Sequence, residues 1–376
     1  MEQLFWLLTA AVFYVYFGYP LLLWTLRSRK KNLSYEKDHY PAVTLVIAAH
    51  NEESLIEGKL ENVLAVDYPK EKLQLVVASD ASTDATNNIV RNYSAAGLEL
   101  YEQKEHKGKS AALNYVVENT ARGEIIIFND ASAILEMDAV RKIVSHFSDP
   151  SVGAAAGRLS FKSEADSAIT QSHGLYWKYE EFLRNRESDI GYLPFVSGAF
   201  YAIRKNLYTT VPEHMPDDSV SPLGVYKQGY RVCYAKDAVA YETGAEDAGG
   251  EFRIKTRGVV RELSSIFYFK ELLTPLKYPM LSLVLISHRL LRWAAPLMLI
   301  ILFMLSLHLA GRPFYKILLW IQAVFYGLAL CGFLTGKKVM ILSMPFYYTL
   351  VNFAALWGLI KFFFGEKQAT WKPVRP

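Results

Sequence analysis

The polarity pattern divides the chain into apolar ends and a middle region, from about residue 43 to 241, in which two periodicities alternate. Short runs rich in apolar residues predict strands at residues 43–49, 73–79, 98–102 and 124–129, the last of them buried on both faces. Helical spacing or a capping signal predicts helices at 52–66, from 82 onward, at 109–120 and at 137–147. Strands that alternate with helices predict an α/β domain with a mostly parallel sheet and helices on both faces.

The apolar ends predict membrane segments. Residues 4–26 carry no charge and are long enough to span a bilayer, as are residues 294–310, 314–334 and 339–364. Residues 251–261 and 276–293 mix apolar with basic positions, so they are predicted to be interfacial helices. The predicted organisation is an anchor (1–31), a cytoplasmic domain (41–250), interfacial helices (251–293), and C-terminal transmembrane helices with a tail (294–376).

Basic residues set the predicted orientation. By the positive-inside rule, the cluster after the first span places the central domain in the cytoplasm; it consists of Arg27, Arg29, Lys30 and Lys31. Simple alternation would leave the tail outside, whereas its own cations, Lys367, Lys372 and Arg375, favour the inside. A re-entrant last segment and a crossing by residues 276–292 both remain open.

Bulk composition narrows the classes of partner. The net charge of +4 over 376 residues does not favour a nucleic-acid partner, and much of the basic excess sits beside apolar runs, which suits anionic lipid. The two cysteines, Cys233 and Cys331, are far apart, so neither a disulfide nor a cysteine metal site is expected.

One acidic turn is the centre of the predicted chemistry. The strand at 124–129 runs into Asp130, Ala131 and Ser132. Because ligands bind at the carboxyl ends of strands in open α/β sheets, Asp130 is predicted to face a phosphate-bearing ligand through a divalent cation. Mg²⁺ or Mn²⁺ suits a site of few carboxylates plus phosphates. The alternative is an ordinary capped turn before the next helix.

Two earlier strand ends repeat the arrangement. Asn51 and Glu52 follow the first strand and Asp80 follows the second, where these side chains could hold a nucleoside. Helix capping by the same residues is the alternative. Residues 106–110 look like the end of a phosphate-binding loop, but Gln103 stands where its first glycine is required, so Lys109 is either a nucleotide contact or a solvated lysine.

Further along, adjacent carboxylates follow Pro216. Asp217 and Asp218 repel each other, and a carboxylate in a partly desolvated cleft has a raised pKa, which suits a general base. The alternative is an acidic first turn of a helix. Arg253 and Arg257, four residues apart, could grip a diphosphate or bind lipid phosphates.

Together these residues resemble the family 2 glycosyltransferases, the inverting membrane enzymes related to the cellulose, chitin, hyaluronan and poly-N-acetylglucosamine synthases. The resemblance covers about residues 41–257 and rests on the order and spacing of short motifs. It implies a GT-A fold, a nucleotide-sugar donor that is UDP-linked, a Mg²⁺ or Mn²⁺ ion, and a glycan or lipid-linked acceptor. It also implies a multi-pass protein of the bacterial cytoplasmic (inner) membrane, with the catalytic domain in the cytoplasm.

The resemblance also implies roles for single residues. It makes Asp218 the catalytic base, with Asp217 beside it, and makes Gly198 and Ala199 part of the acceptor side. It implies that a larger set of residues binds the nucleotide sugar and that Asp130 is also the metal ligand. The set is Asn51, Glu52, Asp80, Lys109, Asp130, Ser132 and Arg257.

Two departures from the family pattern matter. Ser132 replaces the second carboxylate of the metal motif, so Asp130 and the diphosphate would hold the ion nearly alone. Ile254 and Gly258 replace the Gln and Trp of the arginine motif, which leaves processivity open. Three functions therefore remain: polymer synthesis, with a homo-oligomer or separate exporter as partner; transfer of one sugar to a lipid carrier; and a catalytically impaired, nucleotide-sugar-binding subunit of another synthase.

Overall fold

The computed structural model of the protein describes residues 1–26, 40–162, 168–243, 247–336 and 339–365, without the side chains of residues 162–175. The basic clusters on which the predicted orientation rests lie outside the described residues: Arg27, Arg29, Lys30 and Lys31, and the tail cations Lys367, Lys372 and Arg375.

In the described part of the chain, one mixed sheet of eight strands forms the centre of the α/β domain. The strands are β1 (Val43–Ala49), β2 (Leu73–Ser79), β3 (Leu98–Glu102), β4 (Ile125–Asp130), β5 (Ile134–Leu135), β6 (Val152–Lys162), β7 (Phe200–Arg204) and β8 (Arg231–Thr243). Their order is β3-β2-β1-β4-β7-β6-β8-β5, and the first four are mutually parallel. β7 is antiparallel to both β4 and β6. The prediction of an α/β domain with a mostly parallel sheet is confirmed.

Helices cover both faces of the sheet and continue into the apolar ends. In the described residues they are α1 (Glu2–Thr25), α2 (Ile56–Leu64), α3 (Thr86–Asn92), α4 (Lys109–Asn119), α5 (Ala139–Ser145), α6 (Ala168–Asp189), α7 (Asp217–Lys227), α8 (Ala248–Tyr268), α9 (Pro279–His308), α10 (Pro313–Thr335) and α11 (Met340–Phe363). Every residue of β1 is buried, which agrees with an apolar run enclosed on both faces.

The helices after β1 and β2 begin later than the pattern predicts. α2 starts at Ile56 rather than 52, and α3 starts at Thr86 rather than near 82. The strand ends first enter turns in which Asn51 and Ala81 have positive φ angles of 54° and 52°. Non-glycine residues adopt this conformation rarely, and it is enriched at functional sites. Apolar spacing cannot reveal such turns, because they depend on single backbone angles.

In the part of the chain that the structure describes, four helices are long and apolar enough to cross a membrane: α1, α9, α10 and α11. The expected break between an interfacial helix and a span near residue 293 falls inside the continuous helix α9. Its basic side chains are largely enclosed and paired: His288 Nδ1 lies 2.6 Å from Glu187 Oε1, and Arg292 Nη1 lies 3.0 Å from Glu180 Oε2. Partners on α6 therefore compensate charges that the sequence alone assigns to a water interface.

The apolar helices meet the α/β domain where α11 crosses α8. The Thr256 hydroxyl donates to the Ala354 carbonyl at 3.3 Å. A Cβ placed on Gly358 would lie 2.8 Å from the Cβ of Val259 and 3.1 Å from the Thr256 carbonyl oxygen. The two helices can approach this closely only because position 358 has no side chain.

We expect Gly358→Val to separate α8 from α11 and to destabilise the full-length protein by about 1–3 kcal/mol, the usual cost of overpacking. Thermal unfolding in detergent measures this. Gly327→Val in α10 is the matched control, because a Cβ there meets nothing within 4 Å. Equal melting temperatures for the two variants would contradict the close packing.

Candidate active site

The acidic turn after β4 is fixed to the neighbouring strand β7. The Asn129 side-chain amide and the Asp130 backbone amide both donate to the Ala199 carbonyl, at 2.5 and 3.2 Å. Ala199 is itself buried. This predicted acceptor residue therefore anchors the turn through its backbone and presents no side-chain surface of its own.

A buried lysine on α2, which sequence reasoning missed, supports the same turn from the core side. Lys59 has no exposed surface, and its ammonium donates to the Asn129 side-chain oxygen and to the Ala133 carbonyl. Burial lowers the pKa of Lys59 to about 7, although the negative charge of Asp130 acts in the opposite direction. The available signal was its position on the apolar stripe of α2, between Ile56 and Val63.

Lys109 joins three of the predicted site residues. Its ammonium lies 2.6 Å from Asp130 Oδ1 and 3.8 Å from Asp217 Oδ1, and donates to the Gly198 carbonyl at 3.1 Å. Burial alone would lower the pKa of Lys109, but Asp130, Asp217 and Asp218 outweigh it and raise this pKa. Lys109 is therefore a cation buried among carboxylates, not a solvated lysine.

The two adjacent aspartates occupy different environments in the first turn of α7. Asp217 is 1% exposed, and its Oδ2 accepts a hydrogen bond of 3.0 Å from the Tyr201 hydroxyl. Burial raises the pKa of Asp217; Lys109 opposes this shift, and Asp218 adds to it. The Asp218 side chain is 26% exposed and lies 3.8 Å from Arg261 Nη2. Only the second aspartate of the pair is thus accessible to a ligand.

Gly198 keeps the space between Lys109 and Asp218 open. A Cβ at position 198 would lie 3.1 Å from both Lys109 Nζ and Asp218 Oδ2. Its predicted acceptor role therefore corresponds, in geometry, to a gap beside the accessible carboxylate.

Ser132 is close to a carboxylate that the sequence did not single out. Its hydroxyl donates to Glu242 Oε1, near the end of β8, at 3.4 Å. Burial and the negative charge of Asp130 raise the pKa of Glu242 to about 7. No periodicity marks this residue, because β8 reaches the turn only through the order of the strands.

The predicted arginine on α8 faces the same group of acids. Burial and the neighbouring Arg261 lower the pKa of Arg257, while Asp218, Asp130 and Glu242 act in the opposite direction. Arg253 is exposed and Arg257 is half-buried, so the two predicted arginines lie in different environments.

The donor set at the turn fits a hard divalent cation. Asp130 and Glu242 supply carboxylates, the Ser132 hydroxyl contacts Glu242, and Mg²⁺ and Mn²⁺ prefer oxygen ligands from few carboxylates plus phosphates. Burial raises the pKa of Glu242 and the negative charge of Asp130 adds to this shift, which places the two carboxylates near each other.

The predicted nucleoside residues form a second group at the ends of β1 and β2. Asp80 has no exposed surface: its Oδ1 accepts from Gln103 Nε2 at 2.7 Å and from the Lys107 amide at 3.0 Å, and its Oδ2 lies 2.9 Å from His106 Nδ1. His106 stacks on His50 with ring centroids 4.2 Å apart. Asp80 therefore orders the loop that carries His106.

Asn51 and Glu52 connect the turns after β1 and β2. The Asn51 side-chain oxygen accepts from the Thr83 amide at 2.8 Å, and the Glu52 amide donates to the Thr86 hydroxyl at 2.8 Å. The fold thus brings Lys109, Asp130, Asp217, Asp218 and Gly198 together at one point, with Ser132 and Arg257 at its edge. It holds Asn51, Glu52 and Asp80 together at the next strand ends along the sheet.

Comparison with known proteins agrees with this architecture. The sequence model of the family described as "Glycosyltransferase like family 2" matches residues 41–260, more than half of the chain. The poly-beta-1,6-N-acetyl-D-glucosamine synthase of Staphylococcus aureus is 24% identical over 236 residues, which are 61% of this chain and 57% of the relative. The chain thus spans a little over half the length of that relative.

Two further proteins are similar over different extents. The beta-monoglucosyldiacylglycerol synthase of Synechocystis is 32% identical over 139 residues, which are 36% of this chain and 29% of that one. The solved structure of a mannosyltransferase from Pyrobaculum calidifontis, in complex with GDP-Man and Mn²⁺, has a TM-score of 0.75 at 24% identity, and the match covers 97% of this chain and 99% of that one. The likeness of folds therefore extends through the apolar helices.

We expect Lys59→Met to destabilise the protein, because it leaves two buried hydrogen-bond acceptors unpaired and each one lowers the free energy of unfolding by about 1–3 kcal/mol. The difference in free energy of unfolding between wild type and the variant should increase from about pH 7 to 10.5. In this range Lys59 of the unfolded wild-type chain binds a proton that the folded protein has released, so the wild-type free energy of unfolding rises with pH. The variant lacks this contribution. Thermal unfolding of the full-length protein across this range measures it, with exposed Lys236→Met as control. A gap independent of pH would contradict the lowered pKa of Lys59.

Proposed function

The chain belongs to the family 2 glycosyltransferases, and we propose that it moves a sugar from a UDP-linked donor to an acceptor at the membrane surface, with inversion at the anomeric carbon. The observation that carries this proposal is the convergence of Lys109, Asp130, Asp217 and Asp218 beside the gap at Gly198. Lys109 and Asp130 would serve the diphosphate side of the reaction, and Asp218 would be a base that an acceptor can reach.

The donor would lie across the carboxyl ends of β1, β2 and β4. Its nucleoside would rest against the loop that Asp80 orders and the turn that Asn51 and Glu52 hold. Arg257 would bind the diphosphate at the other end, because it faces the acidic group and is positively charged. Lys109 would keep Asp130 oriented until the donor arrives.

Asp130 and Glu242 would hold a Mg²⁺ or Mn²⁺ ion, with the Ser132 hydroxyl bonded to Glu242. When bound, such an ion stabilises the charge that develops on the leaving diphosphate. Mn²⁺ accompanies the nucleotide sugar in the solved mannosyltransferase of the same fold, which supports this choice of ion class.

Asp218 would act as the general base. Its side chain is partly exposed, whereas Asp217 is enclosed by Tyr201 and Lys109, so only Asp218 can reach an acceptor hydroxyl. Arg261 would stabilise the ionised Asp218, and Asp217 would position Lys109. Direct attack of the acceptor oxygen on the anomeric carbon displaces the diphosphate in one step, which inverts the configuration.

We place this reaction at the cytoplasmic face of the cytoplasmic membrane, in synthesis of an exopolysaccharide or another cell-surface glycan. The four long apolar helices support a multi-pass protein, and one relative is named as a synthase of poly-beta-1,6-N-acetyl-D-glucosamine. A product ladder would indicate polymerisation, and addition of one residue would indicate transfer to a single acceptor.

We expect Asp218→Asn to lower sugar transfer about 10²–10⁴-fold, the usual contribution of a general base, with nucleotide binding unchanged. Radiolabelled nucleotide sugars incubated with membranes, with the product sized and its lipid checked, measure the transfer. Glu213→Gln, an exposed carboxylate shortly before Asp218, is the matched control. Full transfer by Asp218→Asn would overturn the assignment. Wild type that binds UDP without turnover of any donor would instead favour a binding subunit of another synthase.

We expect Glu242→Gln to lower Mn²⁺ affinity about tenfold or more, because one of two carboxylate ligands is lost. Titration of Mn²⁺ by electron paramagnetic resonance, with and without UDP, reads this independently of activity. Glu102→Gln, at an exposed position of β3, should bind Mn²⁺ like wild type. Unchanged affinity in Glu242→Gln would remove Glu242 from the metal site.

A further inference from the structure

A cavity of about 530 Å³ lies between the catalytic domain and the apolar helices. Its walls come from α1, α6, α8, α9 and α11, and from the segment at Phe195 and Val196. Most of its surface is apolar and aromatic, including Tyr176, Trp177 and Tyr347. None of the residues predicted to bind the donor sugar lines this cavity.

The charges in this cavity are unbalanced. Among the described residues, four cationic side chains line it, Arg184, Lys255, Arg289 and Arg292, against the two carboxylates of Glu180 and Glu262. Both carboxylates are already engaged: Glu180 lies 3.0 Å from Arg292 and 3.5 Å from Arg289, and Glu262 lies 3.4 Å from Arg289. Lys255 lies 3.5 Å from Glu251, outside the lining.

Arg184 is the cation in this cavity that has no carboxylate partner among the described residues. It is 8% exposed, and its guanidinium carbon lies 5.3 Å from the centroid of the Tyr234 ring. Among the residues that the structure describes, no carboxylate pairs with Arg184, and its buried Nε has no hydrogen-bond partner. An unpaired buried guanidinium is costly, so this position favours a bound anion.

Two residues that line the cavity lie next to the proposed base, Asp218, or to its neighbour Arg261. The amide of Val196, which lines the cavity, donates to the Asp218 carbonyl at 3.1 Å. Glu262 also lines it and directly follows Arg261, whose guanidinium lies 3.8 Å from Asp218 Oδ1. A ligand in the cavity is therefore next to the segment that positions Asp218.

We propose that this cavity binds the acceptor as an amphipathic lipid that carries a phosphate or diphosphate between its hydrocarbon chain and a hydroxyl-bearing headgroup. Arg184 binds the phosphate, the aromatic walls hold the chain, and the headgroup reaches Asp218. The headgroup oxygen bonds to the anomeric carbon, its proton passes to Asp218, and the bond from that carbon to the nucleoside diphosphate breaks. This inference rests on the proposed function, since it names the acceptor of the same reaction.

Direct binding tests the assignment in the full-length protein in nanodiscs of neutral lipid. The probes are radiolabelled farnesyl diphosphate, uncharged farnesol and inorganic pyrophosphate. We expect farnesyl diphosphate to bind at least tenfold more tightly than either of the others, because only it offers both the chain and the anion. Equal affinity for farnesol would overturn the role of the charge, and equal affinity for pyrophosphate would overturn the lipid.

Variants at position 184 give the sharper result. We expect Arg184→Gln to lose about tenfold or more in farnesyl diphosphate affinity while its farnesol affinity, which reports an intact cavity, is unchanged; Arg184→Lys should retain most of the binding. Lys178→Gln, an exposed position of the same helix, removes the same charge and should behave as wild type. Wild-type affinity in Arg184→Gln would overturn the inference.

The two proposals fail in different ways. Asp218→Asn should bind farnesyl diphosphate like wild type, so failure of the proposed function would appear as absent transfer with lipid binding intact. Failure of this inference would appear as intact transfer without any Arg184-dependent lipid binding.

Discussion

The site depends on a single buried ammonium. Lys109 lies within 4 Å of carboxylate oxygens of both Asp130 and Asp217, and it also donates to the backbone at Gly198. Without it, these two carboxylates and the nearby Asp218 would repel one another, and all three raise the pKa of Lys109. The lysine therefore connects the end of β4, the start of α7 and the gap between them, where we propose that a diphosphate and an acceptor hydroxyl meet.

The same balance of buried charge fixes the catalytic domain on the apolar helices. His288 and Arg292 of α9 pair with Glu187 and Glu180 of α6, and the Tyr19 hydroxyl of α1 donates to Glu187 at 2.7 Å. Removing one member of such a network leaves a charge buried without its partner, which costs far more than the pair contributes. The proposed anion site lies beside this network, because Glu180 and Arg292 line the same cavity as Arg184, the cation that no described carboxylate pairs.

Sequence pattern located the strands well and the turns poorly. β1, β2 and β3 have the predicted bounds. For β1 and β2 the reason is that an apolar run fits only the interior of a sheet, whereas β3 is a partly buried edge strand. The helices after β1 and β2 begin four residues late, since Asn51 and Ala81 take left-handed angles that apolar spacing does not encode. The charges on α9 suggested an interfacial helix only because their partners on α6 lie about a hundred residues away in sequence.

The sequence by itself determined the fold class, the strand-end position of Asp130, and the pair Asp217 and Asp218, because each follows from a local period or a short motif. Tertiary structure alone decided which acids meet. Glu242 reaches the turn at Asp130 and Ser132 because β8 lies beside β5 and β6 in the sheet, and Lys59 supports that turn from inside the core. It also separated Asp217, which is buried, from Asp218, which a ligand can reach. These contacts join segments far apart in the chain, and packing rather than local pattern sets their distances.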